Sequence, residues 1–445
     1  MSRANRRLVL AGAGASLLAG CGEGTWLGEN APPPLPGERK SVLLIEDQIS
    51  ADPRLASLNV TLPPPVRNSD WPQLGGGPTH APQHLEAAGA LTIAWRTSVG
   101  SGAGGGSVLL GAPVVARGSV FTVDGEGTVH AVDAAGGRSQ WEFYPEEAEE
   151  VDRLAGGAVA YGDGRLFVAG GNGTVFALDA SSGTEVWRRP ILAPIRAAPT
   201  VAEGKVLVPT ADAQLFALDA GSGDVLWQHA GLFEQAGILG GASPAVANGI
   251  VVAAYPSGEV IALSLATGEQ FWTDTVLRPR RTLAIGAIAD IVGDPVIAGD
   301  RVFVAGASGE MAAFDLQRGV REWTADVTST QTPWIAGNYL FVLTERGELV
   351  CLVDQGGRIR WVTGLPARID PEEPDSRPID WIGPVLASGR LLVASSEGEL
   401  VTVSPETGER LGSLEIGGGG VSVAPAIADG TVFFLTDNAT LVAVR

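Results

Sequence analysis

One spacing recurs along the chain and narrows the folds open to it: Ala, Asp two residues on, Gly four further and Trp four beyond that. It reads Ala131, Asp133, Gly137, Trp141, then Ala177, Asp179, Gly183, Trp187, then Ala217, Asp219, Gly223, Trp227. Ser replaces Asp in Ala262, Ser264, Gly268, Trp272, and the full set returns at Ala313, Asp315, Gly319, Trp323. A copy one residue shorter has Asp354, Gly357, Trp361, and a degenerate one has Ser404 and Gly408 with Gly412 where Trp belongs. With Trp95, seven of the eleven tryptophans occupy this slot. Most copies follow a prelude of Pro, two apolar residues, a Gly-containing turn and an alternating apolar run, as in Pro199-Thr200-Val201 before Gly204 to Val208. Each unit therefore holds four short strands divided by turn signals, and no helical period runs through the body.

Four-stranded units repeated every 38 to 51 residues predict an all-β propeller. The residue types have mechanical reasons. Gly takes the positive φ of the turn between the third and fourth strands. Asp holds that turn by accepting backbone N–H groups, and Ala leaves room for the neighbouring blade. Trp fills the wedge between blades, where burying about 200 Å² is worth a gross ~5 kcal/mol. Eight tag positions (95 to 412) and eight prelude strands (113 to 425) predict eight blades. The final prelude lacks a fourth strand, and the segment ending at Trp95 is a fourth strand lacking three others. Pairing them closes the ring between the two ends and removes both free edges. Seven blades is the alternative if residues 384–412 form no blade.

The N-terminus reads as an address. Arg3, Arg6 and Arg7 precede a short apolar core from Leu8 to Ala19, the pattern of an export signal over residues 1–20. Leu18-Ala19-Gly20-Cys21 resembles the lipobox of bacterial lipoproteins, which implies cleavage before Cys21 and its lipidation, with palmitate among the acyl groups. Gly22, rather than Asp, follows the cysteine, which favours the outer membrane over the inner one. Residues 21–68 carry Pro32-Pro33-Pro34 and Pro63-Pro64-Pro65 and read as an extended tether, with 41–60 able to order on a body that spans 69–445. Cys351, in an apolar run, reads as a small buried residue without a disulfide partner.

Charge and chemistry-bearing residues exclude several functions. The net charge is −20, and without residues 1–20 it is −23, which disfavours nucleic acid as a partner. His80 and His84 are separated by Pro82, and no Cys or His cluster has zinc spacing, so no metal site is expected. The acid runs 146–150 and 370–375 lack the calcium-loop pattern and read as solvated loops. The Gly-rich stretches at 101–106 and 417–420 follow no strand–helix pattern and are not phosphate loops. Arg278-Pro279-Arg280-Arg281 is a basic cluster in the longest inter-blade segment, either a solvated loop or a contact for lipid headgroups or an acidic partner.

The tagged repeats are similar to the tryptophan-docking repeats of quinoprotein dehydrogenases and their non-enzymatic relatives. With the lipobox, eight units, no second domain and the opening segment Asp70-Trp71-Pro72-Gln73-Leu74-Gly75-Gly76 followed by His80, the chain over 69–445 resembles the BamB-like lipoproteins of the outer-membrane β-barrel assembly (BAM) machinery. That resemblance implies a scaffold without catalytic residues or cofactor, held by lipid at the periplasmic face of the outer membrane. It implies BamA POTRA domains, other BAM components and unfolded outer-membrane proteins as partners. Two loop features carry over as partner contacts: Leu192, Ile195 and Arg196 before Pro199, and Asp290 with a displaced Asp294 before Pro295. Without the resemblance, Arg196 reads as a solvated loop residue and Asp290 as a turn acceptor. A dehydrogenase using pyrroloquinoline quinone is the enzymatic alternative, against which stand the absence of adjacent cysteines and the short chain. A propeller binding peptide or glycan is a third possibility.

Overall fold

In the computed structural model, the described residues are 49–104, 109, 111–145, 156–232, 241–276, 291–307, 310–373 and 375–445. Residues 1–20, Cys21 and the tether as far as residue 48 lie outside them. Among the described residues, thirty-two strands form eight four-stranded antiparallel sheets, and the only helices are the 3-10 turns Pro53–Leu55 and Leu74–Gly76. The eight-bladed propeller is thus observed. Blade 1 runs outward from the channel as Val114–Ala116, Ser119–Val123, Val129–Asp133 and Ser139–Phe143. Blades 2 to 7 span 157–190, 200–230, 245–275, 296–325, 334–364 and 381–415 in the same order. Residues 384–412 lie in a complete blade, so the seven-blade alternative falls.

Blade 8 combines Ala426–Ala428, Thr431–Leu435 and Thr440–Val444 with Ile93–Ser98 as its outer strand. Trp95 stands opposite Ala443 and Arg96 opposite Val442, closing the ring by backbone pairing between distant parts of the chain.

The repeat residues act together at seven of the eight joints. Trp95 lies over Gly137 of blade 1, where an added Cβ would stand 2.6 Å from the indole, and Trp141, Trp187, Trp227, Trp272, Trp323 and Trp361 cover Gly183, Gly223, Gly268, Gly319, Gly357 and Gly408 likewise. Each indole N–H donates to a carbonyl in the same turn of the next blade, at 2.7 to 3.3 Å. The Asp of the motif caps its turn: Asp219 accepts from the N–H groups of Gly221 and Ser222 at 2.9 and 2.8 Å. Opposite each Trp on the third strand stands the small residue of the motif, and in blade 6 that position is Cys351 facing Trp361.

Cys351 is fully buried, and burial pushes its thiol well above the ordinary cysteine range. It should therefore resist alkylation by iodoacetamide in native protein and react once urea unfolds the ring, as read by mass spectrometry. Rapid native labelling would show that blade 6 opens readily.

The prelude prolines also have a physical account. Pro113, Pro199, Pro244, Pro295, Pro333 and Pro425 each immediately precede an innermost strand, whose inner edge pairs with no other strand of its blade. Proline removes a backbone donor from that edge.

Within each blade, the turns joining strands 1 to 2 and 3 to 4 share one face. The turns joining strands 2 to 3 share the other with the blade-to-blade connectors. The first face is covered by the chain itself. Residues 49–68, read as part of the tether with 41–60 able to order on the body, lie against it: Leu55 and Val60 are buried, Asp52 N–H donates to Ile359 O at 2.8 Å, and Tyr339 donates to Asn59 O at 3.1 Å. Prolines that keep a chain extended also suit it to lie along a surface whose donors can reach its carbonyls.

Residues 70–88 then follow the inner strands through every blade in order. Trp71 exchanges two backbone bonds with Val115 of blade 1, and Tyr161 N–H of blade 2 donates to Pro72 O at 2.6 Å. The Gln73 amide brackets Val201 of blade 3. Val246 of blade 4 donates to Pro78 O and Ile297 of blade 5 to Thr79 O. The Trp334 indole of blade 6 donates to Gln83 O at 2.7 Å, while Trp71 and Trp334 stack at 6.4 Å between centroids. Leu85 and Ala88 reach blades 7 and 8.

Candidate docking face

The connector face carries the residues singled out in the sequence. The connector from blade 2 to blade 3 leaves the strand Glu185–Pro190 and returns at Thr200–Ala202. Within it Leu192 is 93% exposed and sits in the left-handed region, φ +64°. A non-glycine residue is held there only when neighbours determine the backbone. Here Ile191 N–H donates to Gly173 O at 2.7 Å, and Ala193 and Ile195 on either side of Pro194 are buried. Arg196 is half-buried and makes no ion pair or side-chain hydrogen bond among the described residues.

Ile195, expected as a partner contact, is 1% exposed and packs with Phe167, Val206, Val208 and Leu218. It anchors the loop from below and offers no surface. Asp294 is also inside, at 4% exposure. Its carboxylate accepts Ser243 N–H at 2.7 Å and the Thr332 hydroxyl at 2.7 Å, while its own N–H donates to the Thr332 oxygen at 3.1 Å. Asp294 thereby ties together three successive connectors, those leading into blades 4, 5 and 6. A carboxylate so buried and so bonded is withdrawn from a partner's basic group. Asp290 and the Arg278–Arg281 cluster lie outside the described residues.

Arg196 and Asp294 lie on connectors that are not consecutive. The connector into blade 4 runs between them, and its Gly241 lies against Arg196 and Ala197. It carries Leu232, 64% exposed, with its N–H donated to Glu259 at 2.8 Å. Leu232 was not singled out in the sequence, where one Leu in a Gly-rich stretch carries no pattern. Leu192 and Leu232 thus give two successive connectors one exposed apolar side chain each, and with Arg196 they make up the composition of an interface anchor.

The titratable groups on this face are structural in their surroundings. Burial pushes the Asp124 carboxyl up, but the bond from His130 and the N–H groups of Ser101, Thr128 and Glu126 outweigh it and hold the group below the usual carboxylate range. Burial lowers His229, which meets the Tyr255 hydroxyl at 3.0 Å. Among the described residues no group of three or more His, Cys, Asp or Glu could hold a metal ion.

A family model described as Outer membrane protein assembly factor BamB (PQQ_2) matches residues 90–155, 125–363 and 368–445. The chain belongs to the BamB family. A BamB of Legionella pneumophila (strain Paris) is 28% identical over 155 residues, which is 35% of this chain and 37% of that protein. The chain thus spans little more than a third of the curated relative's length in that alignment. Among solved structures, BamB from Moraxella catarrhalis matches with a TM-score of 0.66 at 19% identity, covering 80% of this chain and all of that one. The quinohemoprotein alcohol dehydrogenase of Comamonas testosteroni matches with a TM-score of 0.61 at 16% identity, over 85% of this chain and 81% of the other. Both structural likenesses establish the propeller and leave activity open. The BamB family model, by contrast, runs through all eight blades, from the outer strand of blade 8 around to its inner three.

Proposed function

We propose that this chain is a non-enzymatic scaffold in outer-membrane protein assembly, anchored by lipid on Cys21 at the periplasmic face of the outer membrane. Its connector face grips the POTRA domains of a BamA-type barrel protein and so serves the assembly of β-barrel precursors with other BAM components. The observation that carries this reading is Leu192, held almost wholly in solvent by a loop whose flanking residues are buried. On the same loop, Arg196 supplies a charge without a partner among the described residues, and Leu232 adds an exposed apolar side chain on the next connector. Ile195 and Asp294 belong to the same site as supports: one pins the loop from beneath and the other locks the connectors. Membership of the BamB family supports the assembly role.

The test is co-purification of BamA from detergent extract with Leu192→Asp and Arg196→Glu. Each substitution should weaken capture by about tenfold or more while leaving the thermal midpoint unchanged, because both side chains lie outside the core. Undiminished capture by both variants would move the docking site elsewhere. Quinone absorbance in the purified protein would favour a dehydrogenase instead.

A further inference from the structure

Blade 8 is tied to the ring differently from the other seven. Its outer strand, Ile93–Ser98, is joined to Thr440–Val444 by pairing alone, without a turn. Its joint with blade 7 has Gly412 in the indole position. The two facts are linked: each indole docks on the turn between strands 3 and 4 of the next blade, and blade 8 has no such turn to receive one.

The chain crosses this same joint twice. On the first pass the Asn68 amide donates to Ile427 O at 2.5 Å, Asp429 N–H donates to Asn68 O at 2.7 Å, and Arg67 pairs with Asp429 at 3.1 Å. After the circuit of all eight blades it returns. Ser388 N–H of blade 7 donates to Leu85 O at 2.8 Å, the Ser388 hydroxyl bonds both backbone groups of Ala87, and Ala88 N–H donates to Gly430 O of blade 8 at 3.0 Å. The two passes also bond each other: Val66 N–H to His84 O and Glu86 N–H to Val66 O, both 2.9 Å. His84, 5% exposed, fastens the overlap. Its Nε2 accepts Gly389 N–H of blade 7 at 2.8 Å, which places the proton on Nδ1, and Nδ1 donates to Pro63 O at 2.6 Å.

We propose that residues 63–90 form a hoop buckled by His84, and that the hoop takes the place of the indole missing between blades 7 and 8. Releasing the buckle opens the ring at that joint and at the adjacent strand seam, and nowhere else. A ring of coupled blades opens first at its weakest joint, because local opening needs only the bonds of that joint to break. Here the hoop's hydrogen bonds meet at His84 and the overlap, beside the Arg96 bond to Ile416 O at 3.2 Å and an apolar core that blades 7 and 8 share. The connector residues 416–425 and 99–104 move with blade 8 when it opens. The connectors bearing Leu192 and Leu232 do not. The inference stands independently of the docking proposal.

Hydrogen exchange on the full chain, unmodified and carrying His84→Ala, tests it. Amides of 93–98 and 440–444 should exchange about tenfold faster or more in the variant, while those of 205–219 in blade 3 stay within about twofold. Ser388→Ala, which keeps the imidazole and removes two bonds to Ala87, should act at the same place with a smaller factor, and it carries the test if His84→Ala does not fold. Trp227→Ala should reverse the pattern, loosening blades 3 and 4 and sparing the seam. Uniform acceleration around the ring, or an unchanged seam in the folded variants, would overturn the proposal.

Discussion

Replacing Trp272 by Ala is expected to lower the free energy of unfolding by about 3–5 kcal/mol, the range for truncating a buried aromatic side chain. The indole is 8% exposed, lies over Gly319 of the next blade, stacks on Phe314 at 5.9 Å and donates to Leu316 O at 2.8 Å. The substitution removes the wedge between blades 4 and 5 and strands that carbonyl. Trp272→Phe should cost less, because it keeps most of the apolar volume and forfeits mainly the N–H bond, worth about 1 kcal/mol. Urea titration of the full chain followed by far-ultraviolet circular dichroism measures both. A loss below about 1 kcal/mol for Trp272→Ala would mean that the joint is held chiefly by the strands and not by the indole.

Gly319→Val is expected to cost as much from the other side of the same contact. Gly319 has φ +68°, in the left-handed region, and a Cβ built there would lie 2.5 Å from the Trp272 ring. A β-branched residue is a genuine outlier at that φ, and the added methyls must push the indole from its seat. The backbone strain alone is of order 1–3 kcal/mol, and displacement of the ring adds much of the loss expected for Trp272→Ala. The double variant supplies the sharper reading. Once the indole is gone the valine has little left to displace, so the two losses should fall short of additive by about 1–3 kcal/mol. Full additivity would show that Gly319 acts through its backbone conformation alone.

Much of the architecture was legible in the repeat. Ala131, Asp133, Gly137 and Trp141 each have a local or nearest-neighbour role that recurs at fixed spacing, so the pattern along the chain is also the pattern in space. Even the one missing tryptophan, Gly412, marks the place where the ring departs from its own rule. The hoop was not legible. Gln73 meets Val201, Gln83 meets Trp334 and His84 meets Gly389, pairings 128, 251 and 305 residues apart with no period to betray them. Residues 49–60 were read as able to order on the body and 61–68 only as tether, for a related reason: proline-rich composition favours an extended chain but does not say whether that chain lies in water or on a surface. At the candidate site, the resemblance that picked out Leu192, Ile195 and Arg196 drew attention to one loop without giving the depth of its residues. The core formed with Phe167 and Val206 takes Ile195 inside and leaves Leu192 out. Asp294, in the same way, looked like a free acid until the connectors carrying Ser243 and Thr332 were brought to it.

By itself the sequence determined the blade, the blade number and the way the ring closes, because strand period, turn residues and the Gly–Trp pairing act over short distances and repeat. Only the tertiary structure decided which loop residues face solvent and how the opening segment belts the inner strands. Those outcomes depend on burial and on unpaired backbone groups presented by blades remote in the chain. Such groups exist as partners only once the circle is complete.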